Sequence, residues 1–166
     1  MPKAIENLII FLFGGAVYSL IEVVFRGYTH WSMTVTGGIC LVLMYRRFTA
    51  RPDDPLMMKC LFGAVTITAL EFAAGCIVNL WLDWHVWDYS GMMFNLYGQI
   101  CPLFSALWFL LTVPVVSLTG FFSKRFAMLN GERPDVRPAV PAAEFPALTQ
   151  LSADGEISFI PKRSGR

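Results

Sequence analysis

Two acids stand where acids are costly. Glu22 lies toward the end of the apolar run Ile5 to Phe25, and Glu71 sits near the middle of the run Leu61 to Leu82. A charged side chain at the centre of a bilayer costs about 2.5–3.5 kcal/mol on insertion scales. A chain keeps such a group only with a partner, a proton or a wet cavity. On the first run, Gly15, Ser19, Glu22 and Arg26 are spaced to share one helical face. Gly and Ser there allow a neighbouring backbone to come close. Glu22 and Arg26, at i,i+4, can pair directly. Ala64, Thr68, Glu71, Gly75 and Asn79 repeat the pattern further on, among Leu, Ile, Val and Phe. This second stripe therefore faces a helix bundle rather than lipid. An intramembrane acid is a functional-site hypothesis by default; ion pairing and helix packing are the competing readings.

The loops outside the runs add more polar groups. His30, Asp88, Asn95 and Gln99, with Ser32, Asp83, His85, Tyr89 and Ser90, would cap a polar pocket open away from the cytoplasm if the stripes converge. The candidate set for binding a solute or ion is thus Glu22, Arg26, His30, Glu71, Asn79, Asp88, Asn95 and Gln99. No HExxH or related ligand spacing points to a metal. No GxSxG elbow supports Ser32 or Ser90 as a nucleophile, so no catalytic residue is assigned. No GxxxxGK[ST] loop is present to cradle phosphate, and no cofactor is expected. Net charge is +1 without a basic stripe, which argues against nucleic acid. Cys40, Cys60, Cys76 and Cys101 form no CxxC pair and read as small buried hydrophobes.

The elements that must position these residues are membrane helices. The 166 residues are 55% hydrophobic and only 15% charged, against about 25% charged in an ordinary soluble domain. Roughly 20 apolar residues, at 1.5 Å each, cross the hydrocarbon core. Four spans are expected, at about Ile5–Phe25, Trp31–Tyr45, Leu56–Leu82 and Ile100–Phe122. The first is too long for a signal-peptide core and lacks a small-residue cleavage site. Gly27 suits a left-handed C-terminal cap, and Thr29 or Ser32 an N-terminal cap for the second helix. So short a connection makes the first pair an antiparallel hairpin. Trp81, Trp84, Trp87, Tyr89 and Tyr97 suit the headgroup boundary. Pro102 fits a first helical turn and Pro114 should kink the last helix.

Orientation follows from the basic residues. With the N-terminus inside, Lys3, Arg46, Arg47, Arg51, Lys59, Lys124 and Arg125 are cytoplasmic and only Arg26 lies opposite. The positive-inside rule then places both termini in the cytoplasm. From Asn130 the chain turns rich in Pro and Ala. Residues 130–166 are expected to form a largely disordered cytoplasmic tail after a membrane domain of residues 1–129, with EISFIP, from Glu156, as a candidate short strand. The fold expected is all-α: an integral membrane four-helix bundle of two antiparallel hairpins. The hairpins look weakly alike, with Gly37-Gly38-Ile39-Cys40 matching Gly98-Gln99-Ile100-Cys101. A parallel duplication and chance both account for so short a match.

One wider likeness carries further. IExxxRG from Ile21, THWSM from Thr29, WDYS from Trp87 and GQIC from Gly98 resemble the small bacterial membrane proteins described as putative ABC-transporter type IV permeases. The likeness runs from about Gly14 to Leu111. It implies a multi-pass bacterial inner-membrane protein, with any ATPase supplied by a separate subunit. On all of this, the leading reading is a permease-like protein that binds or passes a small polar solute or ion at an intramembrane polar site. It would work in the bilayer as a homodimer or within a larger membrane complex. The alternatives are an accessory or assembly subunit whose polar stripes serve packing, and, less favoured, an enzyme acting on a lipid-linked substrate.

Overall fold

The computed structural model describes residues 1–131; most of the expected Pro/Ala-rich tail, including its candidate strand, lies outside them. The fold is an all-α bundle of four helices: α1 Lys3–Arg26, α2 Trp31–Ala50, α3 Leu56–Gly75 and α4 Pro102–Leu129. α3 runs on into a π-helical segment, Cys76–Trp81. Three helical stretches, Lys3–Arg26, Leu56–Trp81 and Pro102–Leu129, are long and apolar enough to cross a membrane. α2 has 20 residues, enough length, and owes its lower hydropathy to Thr34, Thr36, Arg46 and Arg47. The outward faces carry exposed Leu8, Leu12, Leu20, Val24, Leu61, Val65, Leu103, Leu110 and Phe121. So much exposed apolar surface on every long apolar helix suits lipid and not water. This is a membrane protein.

The boundaries differ from expectation in instructive places. α2 continues past Tyr45 to Ala50, because Arg46 and Arg47 extend the helix into the polar zone rather than breaking it. Arg47 then meets Asp54 at 2.7 Å and closes the turn to α3. Gly27 takes φ 81°, and its N–H reaches the Val23 carbonyl, the αL cap that its position demanded. The N-cap of α2 is His30, not Thr29 or Ser32: its Nδ1 accepts from the Ser32 backbone N–H. Thr29 is diverted, since its hydroxyl is needed by Glu22 (2.6 Å). Pro102 opens α4 and Pro114 lies inside it.

Within the first hairpin, α1 and α2 approach closely over glycines. A Cβ on Gly37 would stand 2.3 Å from Tyr18 Cβ, and one on Gly14 2.6 Å from Leu41 Cβ. Ser19 and Thr34 hydroxyls bond across the same interface at 2.7 Å. In the second hairpin, Gly63 admits Thr112, and Thr68 donates to Ser105 at 3.0 Å. These hydroxyl ties are alike in the two hairpins. The GGIC and GQIC stretches are not. Gly37 to Cys40 lies inside α2 against α1, whereas Gly98, at φ 69°, belongs to the turn ahead of α4. The first pair of glycines serves close helix packing and the other glycine serves a left-handed turn, so their likeness marks no common position.

Gly37→Ala should therefore lower stability, because the Tyr18 Cβ it meets is fixed to the α1 backbone. The expected loss is about 1–3 kcal/mol for an overpacked interface. Thermal unfolding of the purified protein in detergent, beside the Gly91→Ala variant at an open position, checks it.

Candidate functional site

α1 packs along α2, and α4 packs on α3 and α2, while α1 and α4 stand apart and meet through large side chains. Phe13 meets Phe122 edge-on at 5.1 Å between ring centroids, and Tyr18 meets Trp108 at 5.8 Å. Between these helices opens a cleft of about 310 Å³, at the low end of the range for small-molecule sites. Tyr18, Ile21, Glu22, Phe25 and Arg26 of α1 form one wall; Phe104, Leu107, Trp108 and Leu111 of α4 form the other. Met33 of α2, with Trp87 and Tyr89 of the loop before α4, completes it. Tyr89 stacks on Phe104 at 4.6 Å, and Phe104 lies 6.5 Å from Trp108, so one side is a run of aromatic rings.

Glu71 lies behind that wall and is only 3% exposed. Tyr18 of α1 donates its hydroxyl to Oε1, and Trp108 of α4 donates its indole N–H to Oε2 at 2.8 Å. One carboxylate on α3 is thus bonded from two other helices. The rings that make these bonds are the rings that line the cleft. Glu22 is also buried. It pairs with Arg26 and accepts from Thr29 through its second oxygen. Arg26 also donates to the Val86 carbonyl at 3.0 Å, which pins the loop before α4 to α1.

The remaining candidates hold the loop between the π-helical segment and α4. Asn79, in the π-helical segment, donates to the Trp87 carbonyl (3.0 Å) and to Gln99 Oε1 (2.7 Å), and accepts from Val86 N–H (2.7 Å). Gln99 also donates to the Tyr97 carbonyl (2.9 Å), and its own carbonyl accepts from the Trp87 indole (2.9 Å). Gly75 leaves room for Gln99: a Cβ there would sit 2.5 Å from Oε1. Asn95 donates to the carbonyls of Ser90 and Met92 and accepts from Gly98 N–H. These bonds hold a loop that visits the left-handed region at Asp83, His85, Phe94 and Tyr97, conformations that non-glycine residues adopt only under constraint. Asp88 is on the surface and takes the Ser90 N–H (2.7 Å) and hydroxyl (2.9 Å), which hold its pKa below the usual carboxylate range. Burial and then the nearby Glu71 carboxylate push the Tyr89 phenol above its usual range.

The structure therefore brings Glu22 and Arg26 into the cleft and sets Glu71 against its wall. It places Asn79, Asp88, Asn95 and Gln99 in the loop scaffold and His30 at the start of α2, bonded to Ser32 at 2.7 Å. Glu22, His30 and Asp88 engage separate partners and do not converge as an acid–base pair. Among the described residues no group of His, Cys, Asp or Glu is arranged to hold a metal, and all four cysteines are free. Tyr18 and Trp108 were absent from the candidate set. The signal for Tyr18 was present: Gly14, Tyr18, Glu22 and Arg26 follow an unbroken i,i+4 row. Trp108 shares a face with the buried Thr112, Thr119 and Phe126, a polar stripe on the last helix as regular as those on α1 and α3.

A family model described as Putative ABC-transporter type IV matches residues 8–134, all four helices. The chain belongs to this family. It is a transporter-like membrane protein, as that description and the three long apolar helices indicate. No match is found among curated proteins or solved structures.

Asn79→Leu should leave Val86 N–H and Gln99 Oε1 without partners in a buried site. At about 1–3 kcal/mol for each unsatisfied group, the loss should exceed that of Asn95→Leu at its half-buried turn, as read by unfolding in detergent. Asp88 has the opposite character, a surface cap whose effect depends on pH. Its folded pKa is depressed, so its contribution is present above the unfolded value and lost as pH falls through the folded one. Protection of the Ser90 amide, corrected for intrinsic exchange, should fall on acidification in the wild type and be low and flat in Asp88→Ala.

Proposed function

We propose that the protein is a permease-like component of a bacterial inner membrane that binds a small solute in the cleft between α1 and α4. The carrying observation is the convergence of three ionisable side chains on one 310 Å³ cleft. Glu22 and Arg26 line it directly, and Glu71 reaches it through Tyr18 and Trp108. Much of the rest of the bundle's exposed helical surface is apolar, with Leu8, Leu12, Leu61, Val65 and Leu110 among its exposed residues. In this reading the chain crosses the membrane four times with both termini in the cytoplasm, as the basic residues at the α2–α3 turn and the end of α4 favour. Residues 130–166 then form a cytoplasmic tail. The chain has no phosphate-cradling loop of its own. For nucleotide-driven transport we propose an ATPase as a partner, and a homodimer or larger assembly would enclose the cleft more fully.

A second reading has a specific observation in its favour. Both oxygens of Glu71 and of Glu22 already have partners inside the chain. That is how helix-packing groups in an accessory subunit would look. A cleft-filling variant separates the two readings. Leu107 is half-exposed on the cleft wall and makes none of these bonds. Leu107→Trp should leave the melting temperature of the free protein nearly unchanged. It should also abolish the stabilisation given by compounds that raise the wild-type melting temperature in a small-molecule panel, about 2.7 kcal/mol at a hundredfold excess over Kd. Equal stabilisation of both proteins by every active compound would place binding elsewhere and leave the packing reading.

A further inference from the structure

The charge around the cleft is unbalanced, and its aromatic lining suits one class of ligand. Glu22 and Arg26 neutralise each other as a pair, and Thr29 takes the spare carboxylate oxygen. Arg26's other hydrogen bond goes to a backbone carbonyl, and its field at Glu71 is offset by that of its own partner, Glu22. Among the described residues Glu71 is hydrogen-bonded to no cation: both its bonds come from neutral donors. When Glu71 is ionised the site therefore carries one negative charge in excess. That charge is shielded from the cleft by the rings of Tyr18 and Trp108. A phenol or indole that donates its proton toward a carboxylate gains electron density in its ring, and the electron-rich face is what attracts a cation. Phe104 and Tyr89 continue the same wall. Apolar walls exclude strongly hydrated inorganic ions, which cannot recover their water ligands there.

We infer that the cleft binds hydrophobic organic cations, substituted ammonium compounds with an apolar or aromatic body, and that Glu71 is their counter-charge acting through Tyr18 and Trp108. This rests on the cleft reading above and names its ligand class. Glu71 touches the wall and not the ligand, so it is a positioning and charge-setting residue.

The hydrogen-bond arithmetic adds a consequence. An indole N–H only donates, so Trp108 holds Oε2 as an acceptor in either protonation state. A phenol hydroxyl donates or accepts. With Glu71 ionised, Tyr18 donates to Oε1. With Glu71 protonated at Oε1, Tyr18 accepts from it and its own hydrogen turns away from the carboxyl. The negative charge behind the rings is then gone. Cation and proton compete for Glu71 without occupying the same place: one proton leaves the carboxyl for water as one cation is held, and total charge is conserved. The titratable groups that face Glu71 are Tyr18, Glu22 and Arg26 of α1, Cys40 of α2 and Tyr89 of the loop before α4. Of these, Glu22 and Arg26 form an ion pair, and Tyr18, Cys40 and Tyr89 are neutral, so Glu71 carries the unpaired charge.

The test uses three probes of similar size on the full chain in lipid nanodiscs: phenyltrimethylammonium, its neutral isostere tert-butylbenzene, and benzenesulfonate. Tryptophan fluorescence, reporting Trp87 and Trp108 in the cleft wall, reads the binding, and competition reads the neutral probe. The expected order is cation first and anion last. Glu71→Gln should weaken the cation at least tenfold and leave tert-butylbenzene within a factor of two, and Tyr18→Phe should weaken the cation by less. In the wild type, acidification should weaken the cation, approaching tenfold per pH unit for one competing proton, with no change for tert-butylbenzene. The wild-type pH profile decides the matter even if Glu71→Gln does not fold. Equal affinity for cation and neutral isostere, a flat pH profile, or no binding of the cation overturns the charge assignment. If binding of cation and isostere is equal but lost in Leu107→Trp, the cleft reading stands and the cation assignment alone fails. Cation binding that survives Leu107→Trp overturns both.

Discussion

The bundle depends on how one carboxylate is satisfied where water is scarce. Glu71 takes a proton donor from α1 and another from α4. In a low-dielectric surrounding an unmet carboxylate is costly, so the three helices that meet there are held in register by the demand for partners. The demand is directional. It requires a hydroxyl on α1 and an indole N–H on α4 to arrive on opposite oxygens, which sets how the first hairpin sits against the second. Apolar packing alone would allow many near-equal arrangements, because lipid is as apolar as leucine.

The cleft is a by-product of the same arrangement. Glycines bring α1 close to α2, and Gly63 brings α3 close to Thr112 of α4. No such small residues join α1 to α4. Those helices touch through Phe13, Tyr18, Trp108 and Phe122, and rings of this size keep backbones apart. The gap that results lies beside the bonded acid. Function, on the reading proposed here, occupies a helix pair that the small residues do not close.

The loop before α4 lines part of the cleft, and amide side chains set much of its shape. Asn79 sits where α3 passes into a π-helical turn, a distortion that recurs at functional sites. From there it bonds both flanks of the loop and Gln99. The result presents Trp87 and Tyr89 to the cleft and keeps several non-glycine residues in the left-handed region. Arg26 adds a tie from α1 through the Val86 carbonyl. The ion pair thus serves the cleft wall and the loop together.

Much of this was legible in the chain itself. Length and apolarity of the runs announced membrane helices, because hydrocarbon thickness and helical rise leave few other options. Gly27 announced the end of α1, since a left-handed cap suits glycine. The acids announced a polar interior, and the spacing of Glu22 and Arg26 announced their pair, because i,i+4 neighbours on a helix meet wherever it lies. What remained hidden depends on partners distant in sequence. That Asn79 and Gln99 bond each other and the loop, rather than face a cavity, follows from the π-helical turn, which no local pattern of residues dictates. That Tyr18 and Trp108 flank Glu71 follows from how two hairpins rotate against each other. Each helix shows in its own residues which face is polar; only the assembled bundle decides which polar faces meet, because that choice minimises unmet hydrogen bonds over all four helices at once.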